Sequence, residues 1–289
     1  MTISARIATT QAAIDADLVA SATRIAVALH GPRIRALHLP PAHLRSGKEA
    51  EFCALELDDG AIGMSYLWLA GIEEAVRAVG GLRRLPGTPA DTLARGLRSM
   101  APGARALAMA ALNALSQSLY TRVGWLPDDA PGAFAGLDAH AGVHVGMIGY
   151  FPPLVPLLVA TGARLTVLEL RADLVGEHDG WRVVTDPAAL ADCDQVLCTS
   201  TVLLNGTLAS ILHATPGAHR FALIGPGAGC VPDALFAQGV TALAGTRISD
   251  RPGFLAALSE GRRWGPFARK TRVERDAYPG LEWLIARCG

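Results

Sequence analysis

Between Ala5 and His30 the apolar residues Ile7, Ile14, Leu18, Ile25 and Leu29 recur at helical spacing, and Gly31-Pro32 ends the run. A long amphipathic helix is predicted there. Arg33 to Leu39 then alternates apolar and polar positions at period two, as does Phe52 to Leu57, and Asp58-Asp59-Gly60 turns the chain into Ala61 to Leu69. These runs predict three antiparallel strands. Helical segments follow near Gly71 to Val79, Thr88 to Ser99 and Pro102 to Thr121, with Thr88-Pro89 and Ala101-Pro102 as starts, so the first part of the chain is expected to be α+β.

From Arg122 to Gly142 the pattern breaks into prolines, glycines, aspartates and alanines, which marks a crossover between two units. Beyond it, apolar strands at Val143 to Gly149, Arg164 to Leu170, Gln195 to Thr199, Arg220 to Gly225 and Val240 to Ala244 alternate with helix-length segments. Such alternation implies a parallel sheet covered on both faces. The expected class is therefore α/β, with an α+β unit over 1–121, a linker over 122–142 and a parallel-sheet unit over 143–289. The stretch V-H-V-G-M-I-G-Y-F-P-P-L-V, Val143 to Val155, reads as a buried strand, a glycine turn and a helix opening on Pro152 and Pro153, since proline is tolerated in a helix's first turn.

Composition narrows the classes. The chain has 289 residues, 51% of them hydrophobic, enough for a large core, and its 26 basic residues balance 26 acidic ones. No net field draws it to nucleic acid or an anionic membrane. Five cysteines (Cys53, Cys193, Cys198, Cys230 and Cys288), odd in number and without a C-x-x-C pair, argue against a disulfide framework or a structural zinc site. No stretch has the apolar length of a membrane helix or the design of a leader, and the expectation is a soluble cytoplasmic protein. The tail carries Arg262, Arg263, Arg269, Lys270, Arg272 and Arg275 among Trp264, Phe267, Tyr278 and Trp283. It is read as a docked C-terminal helix with a solvated face in preference to an RNA surface.

In a doubly wound sheet, ligands bind beyond the carboxyl ends of the strands. The residues at those ends are Gly149, Tyr150, Phe151 and Pro152 after the first strand, Glu169 at the second, Thr199, Ser200 and Thr201 at the third, and Gly225 and Pro226 at the fourth. Glycine lets a ligand approach backbone, hydroxyls bond it, and an acid about 20 residues past the first turn suits a ribose diol. A pyrophosphate is disfavoured, because the prolines remove amide donors that would hold an anion. A flat uncharged ring against Tyr150 and Phe151, or aromatics that simply cap the sheet, are the two readings of that turn. The pairs His140 and His144, His38 and His43, and Cys193 and Cys198 are read as loop or core residues, not metal ligands. No G-x-S-x-G, H-E-x-x-H or P-loop motif names a reaction. Lys48, in the loop R-S-G-K-E-A-E, is a candidate cation for a carboxylate-bearing ligand. Asn113, polar in a helix of Ala and Leu, must be bonded either to backbone across the junction or to a ligand.

The stretches V-G-M-I-G-Y-F-P-P-L-V, C-T-S-T-V-L-L-N-G-T-L (Cys198 to Leu208) and A-L-I-G-P-G-A-G-C-V-P-D-A-L-F-A-Q-G-V-T-A-L-A-G (Ala222 to Gly245) resemble the Rossmann-like proteins of the "putative heavy-metal chelation" domain family. Ala111 to Ser116 and the Asp58-Asp59-Gly60 hairpin are similar to that family's enolase N-terminal-like companion domain. The resemblance implies a cleft between the two units and a link to metal homeostasis or chelator chemistry. It carries over Gly149 to Pro152, Glu169, Gly225, Pro226 and the signature Thr199, Thr201, Asn205, Gly206 and Thr207. Asn205 and Thr207 also suit a helix cap. The expected partner is a small molecule, nucleotide-like or a metal chelate, with the cofactor, if any, and homo-oligomerisation open. The alternatives are a non-catalytic metallophore or metal-chelate binder and an S-adenosylmethionine- or NAD(P)-dependent enzyme of chelator metabolism.

Overall fold

In the computed structural model, which describes residues 10–44, 50–80, 85–130 and 134–289, the strands gather into two sheets. The first part of the chain forms α1 (Gln11–Ala28), β1 (Ile34–His38), β2 (Phe52–Leu57), β3 (Ile62–Tyr66), α2 (Ile72–Gly80), α3 (Ala90–Ala94) and α4 (Pro102–Arg122). Thr10 caps α1 by accepting the Ala13 N–H. The strands pair antiparallel in the order β1-β2-β3, and Asp59 closes the second turn by accepting the Ala61 N–H at 2.9 Å. Helix α4 is alanine-rich, opens on Pro102 and is buried on all sides from Ala106 to Tyr120, as a helix packed all round inside a core must be. It reaches β3 at backbone distance, because a Cβ on Gly63 would lie 2.1 Å from the Ala110 carbonyl oxygen.

The rest of the chain forms β4 (Asp128–Asp129), β5 (His144–Ile148), α5 (Val155–Val159), β6 (Arg164–Leu168), β7 (Gly176–His178), β8 (Trp181–Val184), β9 (Gln195–Thr199), α6 (Val202–Asn205), α7 (Leu208–Ala214), β10 (Arg220–Ile224), α8 (Asp233–Phe236), β11 (Ala242–Ile248), α9 (Arg251–Ser259), β12 (Ala268–Glu274) and α10 (Leu281–Ile285). Its nine-stranded sheet runs β4-β12-β11-β10-β9-β5-β6-β8-β7. The central strands from β11 to β8 are parallel, and their chain order is that of a doubly wound nucleotide-binding sheet. Alternation along each strand divides the core. Val145, Met147, Leu197, Ala222 and Ile224 face one side, while Ile148, Val196, Cys198, Phe221 and Leu223 face the other, where α1 and α4 also pack.

Two expectations are corrected, and the structure adds one element. The basic tail holds a strand: β12 pairs antiparallel with β11 from Ala242↔Glu274 to Ile248↔Ala268, because its Thr271 and Val273 alternate with exposed or half-buried charges and the edge of β11 offers a ladder to complete. Only the short α10 follows. The helix after β5 begins at Val155, with Pro152 and Pro153 in the turn before it. The hairpin β7–β8, antiparallel and turning at Asp179-Gly180, is an element that the sequence pattern was not read to contain, although Asp-Gly is a hairpin signal.

Candidate functional site

The sheet reverses its winding between β5 and β9: strands after β5 are laid down to one side and strands after β9 to the other. The turns beyond these strand ends touch. Gly149 takes φ +83°, and a Cβ there would lie 3.1 Å from the Thr199 methyl. Gly225, at φ +134°, backs onto Ser200, whose Oγ would be 2.6 Å from such a Cβ. The Thr199 and Thr201 hydroxyls are 3.0 Å apart, and the Thr201 N–H also donates to Thr199. Pro226 continues the Gly225 turn.

Strand β3 and helix α4 lie over these turns. The Asn113 amide donates to the Met64 carbonyl and to the Gly227 carbonyl, each at 2.9 Å, which joins the two sheets through one buried side chain. Its Oδ1 is buried without a partner. Next on the same helix, Ser116 accepts the Val231 N–H and Gln117 donates to the Gly229 carbonyl. At the end of β3, burial and then the carboxylates of Glu51 and Glu169 push the Tyr66 hydroxyl's pKa up.

Glu169 accepts three backbone N–H groups, from Tyr150 (3.0 Å), Leu170 (2.7 Å) and Arg171 (3.2 Å). A carboxylate thus occupies the amide that a phosphate would seek in the first turn. The aromatic pair of that turn belongs to the sheet: Tyr150 stacks on Trp181 with centroids 5.6 Å apart, Trp181 stacks on His178, and Phe151 packs against the same core face. The T-x-T-x-x-N-G-T signature divides. Its threonines sit at the strand end, whereas Asn205 Oδ1 accepts the N–H and hydroxyl of Thr207 and shapes the α6–α7 turn, where Gly206 lies beside Gln11 and Arg105. Lys48 lies outside the described residues.

Among the described residues no three His, Cys, Asp or Glu side chains converge as a metal site. All five cysteines are buried, and burial pushes the Cys53, Cys193 and Cys230 thiols up to about 12, away from the thiolate that binds soft metals. His38 is instead a partner of buried Glu56 at 2.9 Å. His144 and Cys193 do meet, at 3.6 Å, a contact that spacing did not reveal. It is not an activated dyad, because His144 also bonds Thr166 and Arg164, and burial with the Arg164 charge lowers its pKa. A resident metal ion does not fit these donors.

Sequence reasoning found Asn113 but not Met64, Tyr66, Ser116 or Gln117. The polar positions Asn113, Ser116, Gln117 and Tyr120 share one stripe at i, i+3, i+4 and i+7, and that spacing was the available signal.

A family model described as "Putative heavy-metal chelation" (DUF364) matches residues 132–275, and a second with the same description (DUF4213) matches residues 50–116. Together they take in most of the chain. A solved DUF364 protein of unknown function from Desulfitobacterium hafniense DCB-2 is similar at a TM-score of 0.64 and 18% identity, covering 87% of this chain and 96% of that one. Another from Pyrococcus horikoshii gives a TM-score of 0.65 at 19% identity, covering 91% and 99%. At such identities the likeness shows the fold. No curated protein matches the chain. With both halves matched and their arrangement shared by solved members, the chain belongs to the DUF364 family, "Putative heavy-metal chelation".

Proposed function

We propose that the protein binds a small organic molecule, a nucleoside-like ring or a chelator with or without its metal, where the β5 and β9 turns meet beneath β3. The observation that carries this reading is the contact of Gly149 with Thr199 and of Gly225 with Ser200. It gathers small and hydroxylated residues at the topological switch point, the usual ligand position of this architecture. Glu169 argues against a pyrophosphate, since it fills the first-turn amide and would repel a second anion. A carboxylate has room for about four hydrogen bonds, which leaves it one acceptor position for a ligand hydroxyl. The family's association with metals then enters through the ligand, not through protein donors.

Native mass spectrometry of protein purified without a histidine tag tests this. The expected result is a co-purifying organic molecule that is lost in Thr199→Val. Calorimetry with adenosine, S-adenosylmethionine, NAD and nickel nitrilotriacetate identifies its class, and NAD is expected to bind no tighter than adenosine. An empty protein that none of the four probes saturates would overturn the proposal.

A further inference from the structure

At the other end of β3, about 13 Å from Tyr66 by strand rise, a cavity of about 500 Å³ opens between the β2–β3 hairpin, the end of α4 and the β11–α9 junction. Its size suits a small metabolite. Arg122, Arg247 and Arg251 line it, as do Asp58, Asp59 and Ser118.

Two of these cations lack a close counterion. Arg251 is neutralised by buried Glu56, which it grips with Nε and Nη2. Arg247 has only a 3.9 Å approach to exposed Asp129 through Nη2, and its Nε is buried without a hydrogen-bond partner. The next strand increases the charge, since Arg269 stands directly across from Arg247 in the β11–β12 register. Arg122 is exposed and pairs with no carboxylate among the described residues. A buried guanidinium N–H left open is costly, and its fork geometry fits a carboxylate. Arg220 also leaves an Nε open, but Glu274 already takes its Nη2 at 2.7 and 2.9 Å.

The hairpin supplies the opposite charge. Asp59 accepts bonds from Ser118 and from the Ala61 N–H, whereas the Asp58 carboxylate has no partner among the described residues. A simple dianion drawn to the arginines would face these two acids. We infer that the cavity is a second binding site, for a small amino carboxylate whose carboxylates meet Arg247 and Arg122 and whose protonated amine meets Asp58 and Asp59. This site stands independently of the one at the strand ends.

Iminodiacetate, with two carboxylates and one amine, is the probe, glutarate its amine-free counterpart and inorganic phosphate the plain anion. Calorimetry is expected to show saturable iminodiacetate binding, weakened tenfold or more in Arg247→Gln and in the exposed variant Arg122→Gln, the size expected for one charged hydrogen bond. Asp58→Asn is expected to weaken iminodiacetate and tighten glutarate. Matched thermal midpoints for Arg122→Gln and Asp58→Asn separate binding from folding, and Thr199→Val leaves iminodiacetate affinity unchanged. The inference is overturned if iminodiacetate does not saturate, if both arginine variants bind it like the parent, or if phosphate binds as tightly as iminodiacetate.

Discussion

Arg105 shows how one residue can hold distant segments. Its guanidinium donates to both Asp15 oxygens at 2.7 and 2.9 Å and to the carbonyls of Leu97, Leu203 and Leu204, so all five N–H groups are used while the side chain is buried. Removing only the acid strands that charge. Asp15→Ala is expected to cost about 3–5 kcal/mol of stability, measured by urea unfolding; a loss below 1 kcal/mol would show that the pair is not desolvated. Glu169→Gln keeps the shape but replaces a charged acceptor of three N–H groups. A loss of about 1–2 kcal/mol is expected from urea unfolding. At this scale the sequence revealed that Asn113 must be bonded, because an amide in an apolar helix cannot stay unpaired. It left open whether the partner was backbone or ligand, since its two carbonyl partners lie 49 and 114 residues away.

Among the elements, α4 and β3 meet at backbone distance. Gly63→Ala would drive a Cβ to 2.1 Å from the Ala110 carbonyl and 2.2 Å from the Ala114 nitrogen, which only a shift of backbone can relieve. The expected outcome is a loss of at least 1–3 kcal/mol or an insoluble product. A variant with the parent's urea midpoint would contradict this packing. Helices α1, α2 and α4 and the central strands were legible because apolar runs of helix or strand length, ended by glycine or proline, are local to the chain. The basic tail was not, because six positive charges among aromatics obscure an alternation visible only at Thr271 and Val273. Pairing with β11, 20 to 32 residues earlier in the chain, decides it.

Over the whole molecule, one apolar cluster runs from Ile14 to Cys288 and takes residues from both sheets. Calorimetry is therefore expected to record a single unfolding transition, and two separable transitions would mean that each sheet keeps its own core. Acid should weaken this fold in two steps. Burial, then the Arg164 charge, lowers the His144 pKa, while the unfolded imidazole takes a proton near pH 6.5. The unfolded state thus binds more protons below that pH, and stability falls as pH falls. Burial raises the Glu56 pKa, but bonds from His38 and Arg251 outweigh it and hold the carboxyl below its ordinary value. Its contribution is present above about pH 4 and is lost as pH falls through the folded pKa. The thermal midpoint is expected to drop between pH 7.5 and 5.5, with a flatter profile in His144→Gln; equal slopes would remove His144 from the account.

What the sequence determined by itself was the order and type of the main elements and the small, hydroxylated turns at the strand ends, since each follows from spacing over a few residues. Tertiary structure decided that Tyr150 stacks its ring on Trp181, that Glu169 fills the first-turn amide and that Arg247 lines a cavity while its Nε stays buried without a partner. Each depends on which distant segments the closed chain brings together, and no local period carries that information.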